Sequence, residues 1–547
     1  MSAERNRHLR PNLFLLVIVA GTLISARPTL RAEQERPPTA PPRNTDQPAN
    51  PNAYDIGKPT LQDLWVDPEN GHDDNTGATR AHALRTITAA WDRIPEGTLA
   101  SNGYRILLVA GHYPAAAVPG WMASRHGTFQ FPVILQAADG PHTARLHGYL
   151  DINDVCYLYL INLDIVTDRG YGGGGNVVHF AACDHILLRG CRLNGHDGQE
   201  RRPQEALKVN QTKHLYVEDC DIGGAFWFAL DLVAVQYGHI LNSRLHSSGD
   251  HGAVLKGGTS YFRVEGNEIF DCEANGFMAG QGTGFEFMVP PWLHYEAYDI
   301  KFVNNVVHDT TGAGMGVNGG YNILLAFNTL YRVGRRSHAI EVALGIRGCD
   351  GDTARCQANR AAGGWGLAKA GGEEPIPNRS VFIYNNIVYN PAGYQSEWQH
   401  LAVRGPGTPS PGSNIPSPAK TDANLQIRGN LIWNGPPNHP LGVEEPGEGC
   451  QPSNPTCNAS QLRRENTINA IEPALIDPDH QNFRLARKHD VSAVLTYAIP
   501  DFSWTDAPAR PSVPSGTLSN SVPVDRDGHK RSPSGPPGAY TDTPPRH

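Results

Sequence analysis

The sequence predicts an all-β repeat protein, a parallel β-helix, and three observations favour this fold class. Short segments that alternate apolar and polar residues recur along the chain, and each ends in a small polar residue between strand formers. None of these repeated segments has the spacing of an amphipathic helix, which excludes helical repeats. The tightest repeats are 22 to 25 residues apart, which is shorter than a propeller blade of about 40–45 residues. Units this short must stack to bury an apolar core.

An Asn/Cys column sets the register of the predicted coils. Stacked coils place equivalent residues about 4.8 Å apart, so we expect these side chains to form an internal ladder at one corner. The members of the column, in chain order, are Asn162, Cys191, Cys220, Asn242, Asn267, Asn305, Asn328, Asn386 and Asn430.

Several longer phrases carry a family resemblance. They are LWVDPENGHDDNTG (64–77), LRTITAAWDRIPEG (84–97), YRILLVAGHYP (104–114), FPVILQAADG (131–140), DPDHQNFRLA (477–486) and the repeated GNEIF, NNVVH and FNTLY. With these phrases the chain resembles the secreted right-handed parallel β-helix proteins of the pectate-lyase-like superfamily, over about 64–486. The resemblance implies a right-handed solenoid. It implies no single reaction, because that superfamily contains lyases, hydrolases, epimerases and members without known activity.

The N-terminal residues predict export. A basic start precedes an apolar run at 13–24 that is short for a membrane span, so we predict a signal peptide over 1–32. An uncleaved anchor is the alternative. A Pro-rich stretch at 33–58 predicts a disordered linker. We therefore expect a secreted protein, periplasmic or extracellular, with no transmembrane segment after signal removal.

The β-helix is predicted over 59–486. An N-terminal capping helix is expected within 83–94, because an open solenoid end exposes apolar interior and unpaired backbone. Its apolar face comprises Leu84, Ile87, Ala90, Trp91 and Ile94. Loop insertions interrupt the coils at 282–297, 343–377 and about 391–466. Residues 487–547 are predicted to form an extended C-terminal segment that is partly disordered.

Charge and cysteine content limit the partners and cofactors. The formal net charge of −8 argues against a nucleic-acid partner. Of nine cysteines, Cys349 with Cys356 and Cys450 with Cys457 are predicted to form local disulfides. Most of the remaining five are expected to be buried as small apolar side chains. No CxxC pair supports a structural zinc site. We expect a monomer.

Charged residues recur where the strands are otherwise apolar. Counting back from the Asn/Cys column places Lys208, Asp231 and Lys256 within one residue of a shared position on three successive coils. We therefore expect them to stack on one strand face. Glu205 and the pair Asp250-His251 lie close to them in the sequence.

This cluster suits β-elimination on a uronate sugar. A base must remove the proton beside the carboxylate, and positive charge must neutralise that carboxylate. The resemblance implies a Lys or Arg base, so Lys256 and Lys208 are the preferred base candidates. Asp231, Asp250 and His251 complete the candidate catalytic set.

Other residues are candidates for substrate or calcium binding. Arg201 and Arg202 are basic residues that suit a polyanion, and Trp227 and Trp292 carry rings that stack on sugars. Glu205 is the last candidate for substrate contact. Calcium is a candidate cofactor, held by Asp231, Asp250 and Glu205 through hard oxygen ligands, although the sequence defines no metal site.

Three interpretations remain open. The preferred one is an exported polysaccharide lyase that acts on acidic, uronate-containing polysaccharide. A glycoside hydrolase needs two carboxylates that flank the bond, for which Asp231 and Asp250 are the candidates. A non-catalytic carbohydrate-binding or cell-surface β-helix is the third, since a charge ladder on a solvated face has no chemistry of its own.

Overall fold

A computed structural model describes residues 52–167, 175–195, 202–486, 494, 496–504 and 517–541. They belong to one compact unit, Ala49–His547. The predicted signal peptide, most of the predicted linker and Arg201 lie outside the described residues.

The regular elements of the described chain are almost all short strands. In chain order they are β1 (Leu61–Val66), β2 (Gly97–Thr98), β3 (Gly103–Leu108), β4 (Gly111–Tyr113), β5 (Trp121–Ala123), β6 (Arg125–His126), β7 (Val133–Ala137), β8 (Ala144–His147), β9 (Leu150–Asn153), β10 (Cys156–Ile161), β11 (Asp164–Val166), β12 (Val178–Ala181), β13 (Asp184–Arg189), β14 (Arg192–Asn194), β15 (Leu207–Asn210), β16 (Lys213–Glu218), β17 (Asp221–Ala225), β18 (Leu230–Val233), β19 (Gln236–Leu241), β20 (Arg244–Ser248), β21 (Ala253–Lys256), β22 (Thr259–Glu265), β23 (Glu268–Cys272), β24 (Phe277–Ala279), β25 (Gly282–Gly284), β26 (Ala297–Val303), β27 (Val306–Thr310), β28 (Met315–Asn318), β29 (Gly320–Ala326), β30 (Thr329–Tyr331), β31 (Ile340–Ala343), β32 (Gly345–Gly348), β33 (Glu374–Ile376), β34 (Arg379–Tyr384), β35 (Ile387–Asn390), β36 (Leu401–Val403), β37 (Gln426–Arg428), β38 (Leu431–Asn434), β39 (Thr467–Ile468), β40 (Leu475–Asp477) and β41 (Asn482–Leu485).

Helices are few and short. The α-helices are α1 (Ile87–Trp91), α2 (Thr353–Ala361) and α3 (Ala459–Glu465). Single 3-10 turns occur at Arg80–His82, Ala115–Ala117, Phe285–Phe287 and Pro478–His480. Among the described residues, no helix has the length and apolar character needed to cross a bilayer.

Three parallel sheets form the walls of a β-helix, as the sequence predicted. Sheet A contains 14 strands, along the path β1-β3-β7-β10-β13-β16-β19-β22-β26-β29-β34-β37 with β2 and β6 beside it. Sheet B contains 12 strands, from β4 to β39, and sheet C contains 10, from β5 to β36. A coil contributes one strand to sheet C, then one to A, then one to B; for example, β15, β16 and β17 are followed by β18, β19 and β20.

The core is the inside of this tube. In sheet C, Leu207 and Val209 point inward and pair with Leu230 and Leu232 of the next coil, and all four are fully buried. Alternation along each strand sends every second residue to the interior, so stacking coils builds one continuous apolar core. The N-terminal end is covered as predicted, because the five apolar residues of the capping segment are all buried and α1 packs against β1 and β3.

An asparagine ladder runs along the corner between sheets A and B. At each step a backbone N–H donates to the side-chain oxygen of the next asparagine, at 2.8 to 3.0 Å. The steps connect Ser243, Asn267, Asn305, Asn328, Asn386, Asn430 and Asn466. Two predicted members are wrong: Asn162 and Asn242 directly precede the column, with φ of 59° and 50°, because strand pairing puts Leu163 and Ser243 in it.

Cysteine pairing agrees with the prediction. Cys349 is bonded to Cys356, and Cys450 to Cys457. Of the other five cysteines, Cys156 is partly exposed and the rest are buried.

The ends of the described unit lie against the β-helix. Tyr54, placed by the sequence in the linker, stacks on Tyr216 at 4.2 Å, and its backbone bonds Glu218 and Arg189. The end of the predicted linker is therefore ordered, because Tyr54 is held by the Tyr216 ring and by the ion-paired side chains of Glu218 and Arg189. Within 517–541, Arg526 donates to the carbonyl of Asn267, and Arg531 to the side chain of Asn304.

Candidate functional site

Charged residues occupy the outward face of sheet C in three successive coils. Lys208 of β15 pairs with Asp231 of β18, as predicted. In the next coil Asp231 pairs with Val254, and Lys256 lies opposite Val233. Because side chains alternate along a strand, Lys256 still shares the face of Asp231, two residues further along.

The predicted straight column fails at Lys256 for two reasons. The count for Asp231 starts at Asn242, one residue before the true ladder position, and the coil of Lys256 has one extra residue after the sheet C strand. Two residues lie between Val233 and Gln236, whereas three lie between Lys256 and Ser260, which pairs with Gln236. The extra residue lies in Gly257–Gly258, where φ is 65° and 85°. A Cβ on Gly258 would lie 2.4 Å from the carbonyl oxygen of Trp292, so this turn requires glycine.

Asp231 lies buried beneath two ammonium groups. Nζ of Lys208 donates to Oδ2 of Asp231, and Nζ of Lys256 lies 3.7 Å from Oδ1. Nζ of Lys256 also donates to Oε1 of Gln281 at 2.9 Å and lies 5.1 Å from the ring centroid of Phe228. The Asp231 side chain is 1% exposed, whereas Lys208 and Lys256 are 18% and 12% exposed. The lysines, not the aspartate, face solvent.

The charges of this cluster support one another. Burial opposes ionisation of Asp231, but the adjacent Lys208 and Lys256 outweigh it and hold the pKa of the carboxyl below its ordinary value. Burial likewise favours neutral Lys208, but the charges of Asp231 and Glu205 raise its pKa. Burial raises the pKa of Glu205 to about 7, against the pull of Lys208. Lys208 is therefore held as a cation.

A histidine–carboxylate pair lies beside the lysines. Nδ1 of His251 is 2.5 Å from Oδ1 of Asp250. The His251 ring meets Phe228 edge-on, with centroids 5.5 Å apart, so Phe228 contacts both His251 and Lys256. None of the described residues hydrogen-bonds Nε2 of His251, and that atom is not buried. A proton on Nδ1 leaves the Nε2 lone pair for another partner.

Aromatic side chains border the charged row. Phe226 and Phe287 are 40% and 45% exposed. Gln211, just past the strand that carries Lys208, donates to the carbonyl of Phe287. Trp227 is half-buried and packs on Phe228, Val254 and Met278.

Three predicted substrate contacts require correction or restriction. Trp292 is only 3% exposed and meets Tyr261 and Tyr298 edge-on at 5.1 and 5.2 Å. It belongs to the core beneath the insertion, so its ring cannot stack on a sugar. Arg202 is half-buried before β15, and Arg201 lies outside the described residues.

The carboxylates proposed as calcium ligands do not form a calcium site. Asp231 is buried and paired with two lysines, and Asp250 is bonded to His251. Glu205 is 2% exposed, and burial raises its pKa to about 7. Calcium needs six to eight oxygen ligands, so we derive no step through it.

An ion pair that the sequence did not point to supports the turn after Lys256. Arg347 and Glu296 have 0% exposed side chains, and Nε of Arg347 donates to Oε1 of Glu296 at 2.9 Å. The other oxygen, Oε2, accepts from the backbone N–H of Gly257 and from Thr283. Both charged residues come from loop insertions, which gave no periodic signal.

A second polar group on the same face was also missed. Pairing through Met278 and Gly316 places Glu341 in the row of Asp231 and Val254. Its oxygens bond His338 at 3.0 Å and Asn318 at 2.9 Å. A glutamate within the apolar phrase AIEVA was the only sequence signal.

Comparisons with known proteins agree with the architecture. Residues 175–347 match the model of the family described as right handed beta helix region. No curated protein matches the chain.

Solved structures of varied activity match the chain at low similarity. A rhamnogalacturonan lyase has 12% identity and a TM-score of 0.43, covering 68% of this chain and 87% of its own. Pectate lyase Pel9A has 15% identity and a TM-score of 0.38, covering 89% and 98%. PfbA, a surface adhesin of Streptococcus pneumoniae, has 11% identity and a TM-score of 0.29, covering 52% and 87%. Likeness at this level carries no argument about activity. The three stacked parallel sheets and the family match together show that this chain is a right-handed parallel β-helix protein.

Proposed function

We propose that the outer face of sheet C binds uronate-containing polysaccharide and cleaves it by β-elimination. One observation carries the proposal: a buried carboxylate, Asp231, holds two lysine ammonium groups next to a histidine whose Nε2 is unengaged among the described residues. Cations and a proton acceptor side by side are what elimination next to a carboxylate requires.

The roles of the lysines differ from those expected from the sequence. The raised pKa of Lys208 suits a permanent cation and does not suit a base. Nζ of Lys256 donates to Gln281 and lies 3.7 Å from Oδ1 of Asp231, so acceptors on the protein already engage this nitrogen. In the proposed reaction Lys208 and Lys256 therefore neutralise the sugar carboxylate and the charge that develops beside it.

His251 is the proposed base. Its Nδ1–H donates to Asp250, which fixes the tautomer and leaves Nε2 as the acceptor. Nε2 takes the proton from C5, the electron pair forms the C4–C5 double bond, and the C4–O4 bond breaks. The departing oxygen gains a proton from water or from the His251 imidazolium.

The test uses wild-type protein on pectate, alginate and glycosaminoglycans, followed by the ultraviolet absorbance of the new double bond. We expect activity on at least one polymer, a loss of about 10²- to 10⁴-fold in His251→Ala and a loss of about 10²-fold in Lys256→Met. Matched controls are the exposed His112→Ala and Lys420→Met. Polymer binding without new double bonds would overturn the elimination in favour of a binding protein, and new reducing ends without absorbance would favour hydrolysis.

A further inference from the structure

A column of rings lies on the outer face of sheet A, away from the proposed catalytic face. His185 of β13 and His214 of β16 occupy equivalent positions, because their neighbours Asp184 and Ile186 pair with Lys213 and Leu215. Their rings stack at 4.1 Å. Tyr157 stacks on the other face of His185 at 4.1 Å, and Tyr237 on His214 at 5.3 Å. The two imidazoles are therefore held in place from both sides.

Both imidazoles direct a nitrogen at one carboxylate. Nδ1 of His185 and Nδ1 of His214 each lie 2.7 Å from Oδ1 of Asp184. Only His214 makes a hydrogen bond with it. Nδ1 of His185 is buried and has no hydrogen-bond partner among the described residues, despite its short distance to the carboxylate. The bond from His214 to this oxygen leaves the neighbouring nitrogen of His185 unsatisfied.

We propose that Asp184, His185 and His214 form a binding site for a divalent transition metal ion, with Zn²⁺ as the probe. Two imidazole nitrogens and one carboxylate oxygen suit zinc, and the three ligand atoms lie within 4.8 Å of one another. The side chains of His185, His214 and Asp184 are 22%, 32% and 39% exposed, so the cluster borders solvent although Nδ1 of His185 is itself buried. The ion would satisfy the unpaired nitrogen of His185.

Other histidine–carboxylate contacts on the described coils lack this convergence. Asp221 with His246 and Glu218 with His239 each bring one imidazole to a carboxylate. The other cluster of potential ligand atoms among the described residues is Glu286, Cys349 and Cys356, where the disulfide removes both thiols. The Asp184 cluster also joins two coils, so a bound ion would cross-link β13 to β16.

The experiment is isothermal titration calorimetry, in which Zn²⁺ is added to chelator-treated, full-length protein. We expect one saturable site in the wild type and a rise in the midpoint of thermal unfolding, because an ion that binds only the folded state stabilises it. His185→Ala, His214→Ala and Asp184→Asn are each expected to weaken that site by at least about tenfold. His246→Ala, which removes a single-imidazole contact, is the matched control and is expected to leave affinity unchanged.

A second measurement keeps the wild type informative if a variant misfolds. Zn²⁺ is expected to protect His185 and His214 from diethyl pyrocarbonate, read by peptide mass spectrometry, while His112 remains reactive. Absence of saturable binding would overturn the proposal. So would binding that survives in folded His185→Ala and His214→Ala variants, or protection confined to other histidines.

Discussion

Nζ of Lys256 lies 3.7 Å from Oδ1 of Asp231 although the backbone pairs Asp231 with Val254. The lysine thus reaches back to the preceding coil, while Lys208 approaches the same carboxylate from the other side. One buried anion is shared by cations from two neighbouring coils. Asp231 therefore acts as the organiser of this face, because it sets where both ammonium groups lie.

Removing the charge of Asp231 is expected to destabilise the fold and the site together. Asp231→Asn leaves two ammonium groups without their shared carboxylate, and breaking a buried pair costs about 3–5 kcal/mol. We expect the low end of that range, since both lysines retain some solvent contact. Urea unfolding of Asp231→Asn and wild type measures this loss of free energy of unfolding. Asp63→Asn, which breaks the more exposed pair with Arg105, is the control at about 0–1 kcal/mol; equal losses would contradict the role of Asp231.

Lys208 and Asp231 were predictable as stacked neighbours because their coils have equal spacing between strands. The position of Lys256 was not, because register depends on the turn that follows it. Gly257–Gly258 adds one residue there, and a count along the sequence does not say on which side of a strand an extra residue falls.

The asparagine ladder is expected to be a large contributor to stability. In Asn305→Ala the backbone N–H of Asn267 and the carbonyl of Val264 lose their partners. Each buried polar group left unsatisfied costs about 1–3 kcal/mol, so we expect a loss of about 3 kcal/mol in chemical unfolding. Asn242→Gly is the matched control, because Asn242 lies beside the ladder at φ 50°, a conformation that glycine accepts. Similar losses of stability in Asn305→Ala and Asn242→Gly would contradict the stabilising role of the ladder.

The ladder corner was predictable from the sequence, but its members were not all predictable. Asn242 and Asn162 directly precede the true ladder positions, Ser243 and Leu163, and an asparagine suits either place at a corner. Left-handed backbone favours Asn, and so does a hydrogen-bonded ladder; residue type alone does not separate the two causes.

Stability is expected to depend on pH through Glu268 and His308, whose side chains lie 3.1 Å apart on sheet B. Burial opposes ionisation of Glu268, but His308 and Arg244 outweigh it and lower its pKa from 4.5 to about 2. Burial favours neutral His308, but Asp309 and Glu268 raise its pKa. The glutamate contribution is present above pH 4.5 and is lost toward about pH 2. The histidine contribution is present below its ordinary pKa and is lost as pH rises through the raised value.

Glu268→Gln is therefore expected to lower the free energy of unfolding by about 3 kcal/mol near pH 5 and by little near pH 2. Unfolding midpoints measured across that range test the expectation. Glu273→Gln removes a carboxylate that is 67% exposed and serves as the control without a pH-dependent loss. A loss in Glu268→Gln that is independent of pH would argue against this electrostatic account.

Arg347 is expected to be more important for stability than any exposed arginine pair. Arg347→Met leaves Glu296 charged and fully buried, at a cost of about 3–5 kcal/mol. The double variant Arg347→Met with Glu296→Leu is expected to recover much of that loss. Arg404→Met, whose partner Glu448 is at the surface, is the control at about 0–1 kcal/mol. A double variant as unstable as the single one would contradict the account.

The residues that support the turn after Lys256 were not predictable from the sequence. Arg347, Glu296 and Trp292 come from insertions, where no repeat sets their position. Tryptophan suits both sugar stacking and cores, so the sequence does not show which of the two applies to Trp292. The cluster that buries it combines aromatic residues distant in sequence, including Tyr321 and Trp365.

The change in corner chemistry along the ladder gives the solenoid a direction of unfolding. Before Asn267 the corner is occupied by Leu163, Cys191, Cys220 and Ser243, which are apolar, weakly donating or limited to one hydroxyl. From Asn267 onward, each rung is an amide bonded to the next. The stability of a repeat protein is approximately a sum over its repeats and the interfaces between them. Force applied to the two ends should therefore unfold the early coils first and leave the coils with bonded amides folded longest.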